Sequence, residues 1–502
     1  ALREELGANG AVFQSETDTE AVAHLLANHL KDGADLRTAL ATTMGALEGA
    51  YGLALAFADD EHVLAAARLG SPLAIGSAPG IMMIGSDATA LAPFCDDIMY
   101  LEDGDIAIVR PEGVEVFGVD GISRERASMP VPMEASVAEK GNFRHFMAKE
   151  IHEQPEVIAH TLSHYLDASI GDPRPSAIPI DFASVRRISI TACGTAFYAG
   201  LVARNWFERY AALPVDLDVA SEFRYRSQVL AEDELALFIS QSGETADTLA
   251  SMRKCKEAGQ PLAAVVNVRS STMGREAGTV LPTLAGVEIG VASTKAFVCQ
   301  LATLAVVAIK AGLDRGVLTP EEARAHGLAL LEAPRLVAEA IRLEPTLQRT
   351  ARKIAPAATA LYIGRGPSFA MAMEGALKLK ELSYIHAEGY AAGELKHGPI
   401  ALVDESVPVI VVAPHDPFFA KTVSNMEEVA ARGGKIIAIT DAEGEEALRG
   451  DFRDLIVMPK AAEIVAPIVA AVPMQLLAYH TAVINGTDVD QPRNLAKSVT
   501  VE

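Results

Sequence analysis

The 502-residue sequence predicts an α/β protein with two tandem doubly wound parallel sheets, preceded by a smaller α+β module. Three observations carry this. Apolar, β-branched strands alternate with helices from about residue 187 to 441, as parallel sheets buried on both faces require. The pattern runs twice, with nearly equal steps between strands. In front of it, short apolar runs separated by polar turns stand at hairpin spacing.

The front module occupies 1–117. YGLALAF (51–57), HVLAAAR (62–68), PLAIGSA (72–78), IMMIGS (81–86) and GDIAIVR (104–110) read as strands. AVAHLLANHL (21–30) reads as an amphipathic helix, and Ala1–Leu6 is already helical in pattern. Residues 118–177 read as a linker with helices: a polar stretch holding Pro130 and Pro132, a helix over 143–166, and the Pro-rich GDPRPSAIP (171–179). The first sheet domain, 178–320, has strands RISITACG (187–194), ELALFISQSGET (234–245) and PLAAVVNV (261–268). Helices at 295–312 and 320–340 are expected to bridge to the second domain, 350–492, with strands ALYIGRG (360–366), VPVIVVAPHD (407–416) and KIIAITD (435–441). A tail, 493–502, closes the chain.

Composition excludes several classes. A formal charge of −23 repels a polyphosphate backbone, so nucleic acid is not an expected partner. Four scattered cysteines form neither a disulfide framework nor a zinc pattern, and no metal or cofactor is called for. The apolar run at Leu301–Ile309 is too short for a bilayer and ends at Lys310, and the start shows no basic-then-apolar leader. The expectation is a cytoplasmic protein without a membrane partner.

Four stretches carry chemistry. Glu374, Lys378 and Glu381 stand at i, i+4 and i+7, on one helix face. Such a stripe is commonly a solvated ion-pair ladder worth a few tenths of a kcal/mol. Here no Gly or Pro interrupts the helical pattern from Ala376 to Ala387, and His386 and then His397, in the loop GELKHGP, follow the stripe. A carboxylate, a lysine and a histidine together suit proton transfer beside a carbonyl. SQSGET (240–245) joins a strand end to a helix start, and Ser240, Ser242 and Thr245 offer hydroxyls. Together with ACGTA (192–196) on the neighbouring strand, this favours an anion site, most simply a phosphate, over a plain cap. No Walker pattern accompanies it. GVASTKAF (290–297), with Ser293 and Thr294, either caps its helix or lines the sugar end of the same pocket. In the tail, Lys497 is either a solvated charge or an amine able to form an imine.

SQSGETADT, EIGVASTKAF, EGALKLKELSYIHAE with AAGELKHGP, and DQPRNLAKSVTVE together resemble the glucosamine-6-phosphate synthase family, over essentially the whole chain. The resemblance implies two sugar isomerase (SIS) domains behind the back half of an N-terminal-nucleophile glutaminase, marked by SETDTE (15–20). It implies conversion of fructose 6-phosphate to glucosamine 6-phosphate with glutamine-derived ammonia. Gly194, Thr195, Ser240, Gln241, Ser242 and Thr245 would hold the phosphate. Val291, Ser293 and Ala496 would meet the sugar. His397, from a partner subunit of a homodimer with a shared active site, would assist ring opening. Lys497 would form the C2 imine, Glu381 would move the proton between C1 and C2, and Lys378 and Glu374 would support that traffic. Asp18 would bind the amino group of glutamine.

A closed pocket is expected to desolvate Glu381 and to keep Lys497 neutral. Ala196 stands where some members carry a serine. The family's nucleophilic cysteine would lie upstream of Ala1, and Cys95, Cys193, Cys255 and Cys299 are not placed to replace it. The isomerase half is therefore expected to be complete and the glutaminase half incomplete. The alternatives are a non-catalytic sugar-phosphate sensor and a phosphosugar isomerase without amination. A sensor needs the SQSGET pocket but not Glu381, His397 and Lys497 together, and the sequence carries all three.

Overall fold

The computed structural model describes residues 2–500 except 50, 59, 72, 87–90, 132–139 and 449–453. Ala1, Pro132 and the last two tail residues, named above, lie outside the described residues. The chain divides into two compact units, 1–138 and 139–498.

The first unit holds α1 (Leu2–Ala8), α2 (Thr19–Lys31) and α3 (Leu36–Gly45) and two antiparallel four-stranded sheets. β1 (Tyr51–Phe57), β2 (Asp60–Leu69), β6 (Asp105–Arg110) and β7 (Gly113–Gly118) form one, in the order β1-β2-β6-β7. β3 (Ala74–Ala78), β4 (Ile81–Gly85), β5 (Asp97–Tyr100) and β8 (Ser128–Pro130) form the other, in the order β4-β3-β5-β8. Alternation along the strands sorts the core into two layers. Ala65, Ala67, Ile106 and Ile108 pack with Val22, Leu26, Leu40 and Met44, while Ala66, Ala107 and Val109 pack with Leu73 and Ile75. The linker expected from 118 is corrected in its first part. β8 pairs with β5, and Arg126 forks onto buried Asp105 at 2.7 and 2.8 Å, so the module continues past residue 117.

The second unit begins with α4 (Phe146–Tyr165). Its first sheet contains β9 (Arg187–Ala192), β10 (Val215–Val219), β11 (Glu234–Ser240), β12 (Leu262–Val266) and β13 (Thr279–Pro282). Around it stand α5 (Gly194–Ala211), α6 (Ala220–Phe223), α7 (Ala246–Glu257), α8 (Thr272–Glu276) and α9 (Lys295–Asp314). Then come α10 (Pro320–Leu331), α11 (Ala333–Ile341) and α12 (Glu344–Ile354). The second sheet contains β14 (Thr359–Gly364), β15 (His386–Ala391), β16 (Pro408–Val412), β17 (Lys435–Thr440) and β18 (Asp454–Val457), with α13 (Pro367–Ser383), α14 (Phe419–Ala430), α15 (Ala442–Ala447) and α16 (Ala466–Asn485).

Both sheets are wholly parallel, in the orders β10-β9-β11-β12-β13 and β15-β14-β16-β17-β18. This is one topology used twice, with the strand order reversing between β9 and β11 and between β14 and β16. Ligands of such sheets sit at the carboxyl ends of the strands at that reversal.

Three expectations change. α13 stops at Ser383, because Tyr384 adopts a left-handed φ of 61°. His386 therefore starts an edge strand paired with β14 and does not extend the stripe. α9 lies against α5 as a layer of the first domain, and the bridging role falls to α11 and α12, which pack on α4 and α16. The apolar run at 301–309 belongs to a 20-residue helix, α9, which has the length and hydropathy of a membrane span, as does α16. Both are buried inside the α/β core, which accounts for their apolarity without a bilayer.

Candidate functional site

The carboxyl ends of β9 and β11 meet at the first reversal. After β11, Ser240 Oγ accepts from Gly243 N at 3.0 Å and lies 3.1 Å from Thr245 Oγ1, and Ser242 Oγ accepts from Glu244 N at 3.2 Å. The hydroxyls thus fold the loop on itself. None caps α7, whose N-cap Thr245 makes no side-chain bond to the helix, so its first N–H groups face the loop mouth. Glu244 ties the loop to α8 by accepting from Thr272 N at 2.7 Å. Gln241 is half-buried and anchors β12 through its carbonyl, which accepts from Asn267 N.

Gly243 is obligatory at this turn. Its φ is +67°, and a Cβ there would lie 2.0 Å from Ser271 Oγ. Gly243→Ala is expected to weaken binding of a phosphate-bearing ligand at this loop about tenfold in titration calorimetry, and an unchanged affinity would remove the loop from the candidate site.

At the end of β9, Gly194 is exposed with φ +53°, and Thr195 begins α5. Thr195 Oγ1 donates to Glu374 Oε1 at 3.2 Å, which ties the end of β9 to the helix of the second domain. Ala196 is half-buried beside it.

That bond leads to the stripe on α13, which is a core feature and not a solvated ladder. Glu374 and Lys378 are 0% and 1% exposed. Lys378 Nζ donates to Glu381 Oε2 at 2.7 Å and lies 3.6 Å from Glu374 Oε1. Burial pushes the Glu374 carboxyl up to about 8, against the pull of Lys378. Burial works to lower Lys378, but Glu374 and Glu381 outweigh it and hold the ammonium well above the ordinary lysine range. The desolvation expected at Glu381 therefore falls on Glu374, while Glu381 keeps 23% of its side chain exposed, as a group that meets a ligand must.

The loop 288–294 completes the site. Glu288, fully buried, accepts from Thr294 N at 2.9 Å and Ala296 N at 3.0 Å at the start of α9, and takes Lys497 Nζ on its other oxygen at 2.6 Å. Lys497 also donates to the Gly290 carbonyl at 2.7 Å. Lys497 thus lies in an ion pair with Glu288. Burial pushes Glu288 up, but Lys497 and the two N–H groups more than offset this and hold it below the ordinary range. Glu150 of α4 accepts from Ile289 N at 2.5 Å and Gly290 N at 3.1 Å, and burial followed by the charge of Glu288 pushes it up to about 7.

Asp490 fixes the tail by accepting from the first N–H groups of α4, Phe146 and Met147, at 2.9 and 3.0 Å, and its carbonyl accepts from Val291 N. Buried Ser293 Oγ and Ser498 Oγ have no hydrogen-bond partner among the described residues, as expected of groups that await a polyhydroxylated ligand. Ala496 is exposed.

Glu288 and Glu150 were not flagged in the sequence. The available signal was that Glu288 is the sole ionisable side chain between Glu276 and Lys295. His397 ends a 3-10 turn, Ala392–His397, is exposed, and bonds to none of Glu381, Lys378 or Lys497 within the chain. In the first unit, Asp18 is exposed at the start of α2 and caps nothing there. Glu20 folds the preceding loop by accepting from Gln14 N, Ser15 N and Ser15 Oγ, which hold its carboxyl down at about 2.

Two parallel domains of one topology, with polar loops at the strand reversal of the first and a charged helix of the second against it, define a tandem SIS-domain protein. The SIS domain family model matches residues 181–310 and 353–485. Glutamine–fructose-6-phosphate aminotransferases (isomerising) of Mesorhizobium japonicum and Brucella abortus are 58% and 56% identical over 501 and 503 aligned residues, covering 100% of this chain and 82% of each relative. The C-terminal domain of glucosamine-fructose-6-phosphate aminotransferase from Francisella tularensis superposes with a TM-score of 0.69 at 42% identity, over 71% of this chain and 100% of that one. A tagatose-6-phosphate ketose/aldose isomerase from Escherichia coli shares the fold at TM-score 0.57 and 17% identity, over 71% of this chain and 96% of that one. The chain belongs to the isomerising glutamine–fructose-6-phosphate aminotransferase family and is an enzyme of that family.

Proposed function

We propose that this chain converts fructose 6-phosphate to glucosamine 6-phosphate with ammonia drawn from glutamine, acting in the cytoplasm. The observation that carries the reading is the convergence, in one unit, of the SQSGET loop, the buried Glu374–Lys378–Glu381 stripe and the Lys497–Glu288 pair. Lys378 feels the charges of both Glu381 and Glu288, so stripe and tail share one electrostatic site.

The phosphate rests on the α7 start and the loop hydroxyls, with Gly194 and Gln241 at its rim. Val291, Ser293 and Ala496 border the sugar. Lys497 adds to the C2 carbonyl and water leaves, giving an imine that acidifies the C1 protons. Ammonia adds to that imine and the lysine amine leaves, so the C2 nitrogen is now ammonia-derived. Glu381 then takes a C1 proton and returns it to C2, leaving an aldehyde at C1 and an amine at C2. Lys378 holds the Glu381 carboxyl in place, and Glu374 lies against Lys378 on its buried side. Ring opening is assigned to His397 of a second copy of the chain, in a homodimer whose size sedimentation velocity checks. Asp18 receives the glutamine amino group.

Incubation with fructose 6-phosphate and ammonia, followed by detection of glucosamine 6-phosphate, tests the reading directly. Binding without turnover would point to a sensor, and glucose 6-phosphate alone to an isomerase. Lys497→Ala is expected to abolish the borohydride-trapped sugar adduct seen by intact mass in the parent protein. An adduct that persists in Lys497→Ala would move the imine to another lysine.

A further inference from the structure

The reading above leaves one proton unaccounted for. An amine attacks a carbonyl only when neutral, yet Lys497 sits ion-paired 2.6 Å from Glu288 Oε2. Its other bond is to the Gly290 carbonyl, which takes no proton. Glu288 divides its labour between its two oxygens. Oε1 holds the loop to the start of α9 through Thr294 N and Ala296 N, and Oε2 is spent on Lys497. The structural work of the residue is therefore complete without Oε2.

A second carboxyl, Glu150, reaches the same loop from α4. Its Oε1 takes two backbone N–H groups, and its buried Oε2 has no partner. The titratable groups that act on this pair are Lys497 from the tail, Lys378 from α13 and Cys299 of α9. Burial drives the Cys299 thiol up to about 12, which removes it as an acceptor.

We propose that Glu288, bonded to Lys497 Nζ through its otherwise unused Oε2, is the base that deprotonates Lys497 for attack on the sugar carbonyl, with Glu150 holding the same loop. This deepens the imine reading and rests on it. The Nζ–H bond breaks and an Oε2–H bond forms. The nitrogen lone pair then adds to C2, and the Glu288 proton leaves with the carbinolamine oxygen as water when the imine closes. Atoms and charge balance with no outside reactant. The pairing in the free enzyme is then the resting state of a proton relay, and Glu288, the one group bonded to Nζ among the described residues that can take a proton, is its first station.

The test is the rate of borohydride trapping of fructose 6-phosphate by the full chain, read by intact mass from pH 6.5 to 9.5. Glu288→Gln keeps an oxygen for Thr294 N and Ala296 N. It is expected to trap about 100-fold more slowly at pH 7.5, with the rate rising about tenfold per pH unit as solvent replaces the lost base, whereas the parent profile stays nearly flat. Glu288→Asp, which keeps a carboxylate, should restore the flat profile at a reduced rate.

Equal binding of glucitol 6-phosphate, which has no carbonyl, shows that the variant folds. Should Glu288→Gln lose that binding, the Glu288→Asp profile decides alone, and a steep one overturns the proposal. Three other results overturn it: Glu288→Gln trapping as fast as the parent, trapping faster because the ion pair no longer holds the ammonium, or a pH-independent loss, which would make Glu288 a positioning residue only. If the parent protein yields no adduct at all, the imine reading fails and not the assignment of the base.

Discussion

Glu381→Gln is expected to lower kcat for isomerisation of fructose 6-phosphate to glucose 6-phosphate by about 10²- to 10⁴-fold, with KM changed only a few-fold, because one general base is removed and no phosphate contact is touched. The geometry favours this residue over its neighbour Glu374. Both carboxyls lie on α13 against Lys378, but Glu374 is sealed and held by Thr195, while Glu381 retains an open edge. A proton carrier must reach the sugar carbons, and a sealed carboxyl does not. Lys378 Nζ holds the Glu381 carboxyl by a 2.7 Å bond on the side away from that open edge. The direct measurement is exchange of solvent deuterium into C1 of the sugar by NMR. Loss of exchange together with loss of isomerisation supports the role, whereas persistent exchange would transfer the base to another group.

The two domains share a topology but not a site, and the carboxyl ends of the second sheet explain why. There Asp441 accepts from Gly444 N with one oxygen and from His415 N with the other, each at 2.9 Å. An acidic side chain already occupies loop N–H groups of the kind a phosphate would take. Asp416 and Glu463 line the same cleft of about 130 Å³, and burial pushes Asp416 up. A dianion meets like charge here, whereas the SQSGET loop presents hydroxyls and an uncapped helix start. The second domain contributes its helix instead of its crevice.

What the sequence disclosed follows from which interactions have a local signature. The central strands, such as ELALFIS and PVIVV, were legible because burial on both faces demands unbroken apolar runs. The edge strands β10, β13, β15 and β18 were not, since HAEGYA or VDLDV need satisfy only one neighbour and carry polar residues. α16 went unread because a helix buried all round has no amphipathic period. The stripe Glu374–Lys378–Glu381 was legible as a helix face, but its burial was not, because that depends on α5 and α16 packing over it. Glu288, Glu150 and Asp490 were missed for one shared reason. Each acts on backbone N–H groups distant in sequence or on a tail lysine, and no spacing rule records such a bond. His397 was noticed only by its loop, and one chain offers it no partner in the site.

Lys378→Met is expected to destabilise the second unit by about 3–5 kcal/mol at alkaline pH, the usual cost of stranding a buried charge by removing its partner. Trp206, the one tryptophan, is buried in the core that also holds α13, so its fluorescence during urea unfolding reports this unit. The pH dependence gives the prediction its edge. Glu374 titrates at about 8 in the fold against an ordinary 4.5, so between those values the native state keeps a proton that the unfolded chain has lost. Stability therefore falls as pH rises through that window. Without Lys378, burial acts on Glu374 unopposed and raises its folded value further, so the penalty of the substitution should be small up to about pH 8 and grow above it. The double variant Glu374→Gln/Lys378→Met removes both charges and should recover most of the stability, since an apolar pair can replace a buried ion pair at little cost. It should not recover isomerisation, because Glu381 then loses the ammonium that positions it. Equal instability of the single and double variants would mean that methionine fails to fit the site, and recovery of both properties would show that the stripe serves packing alone.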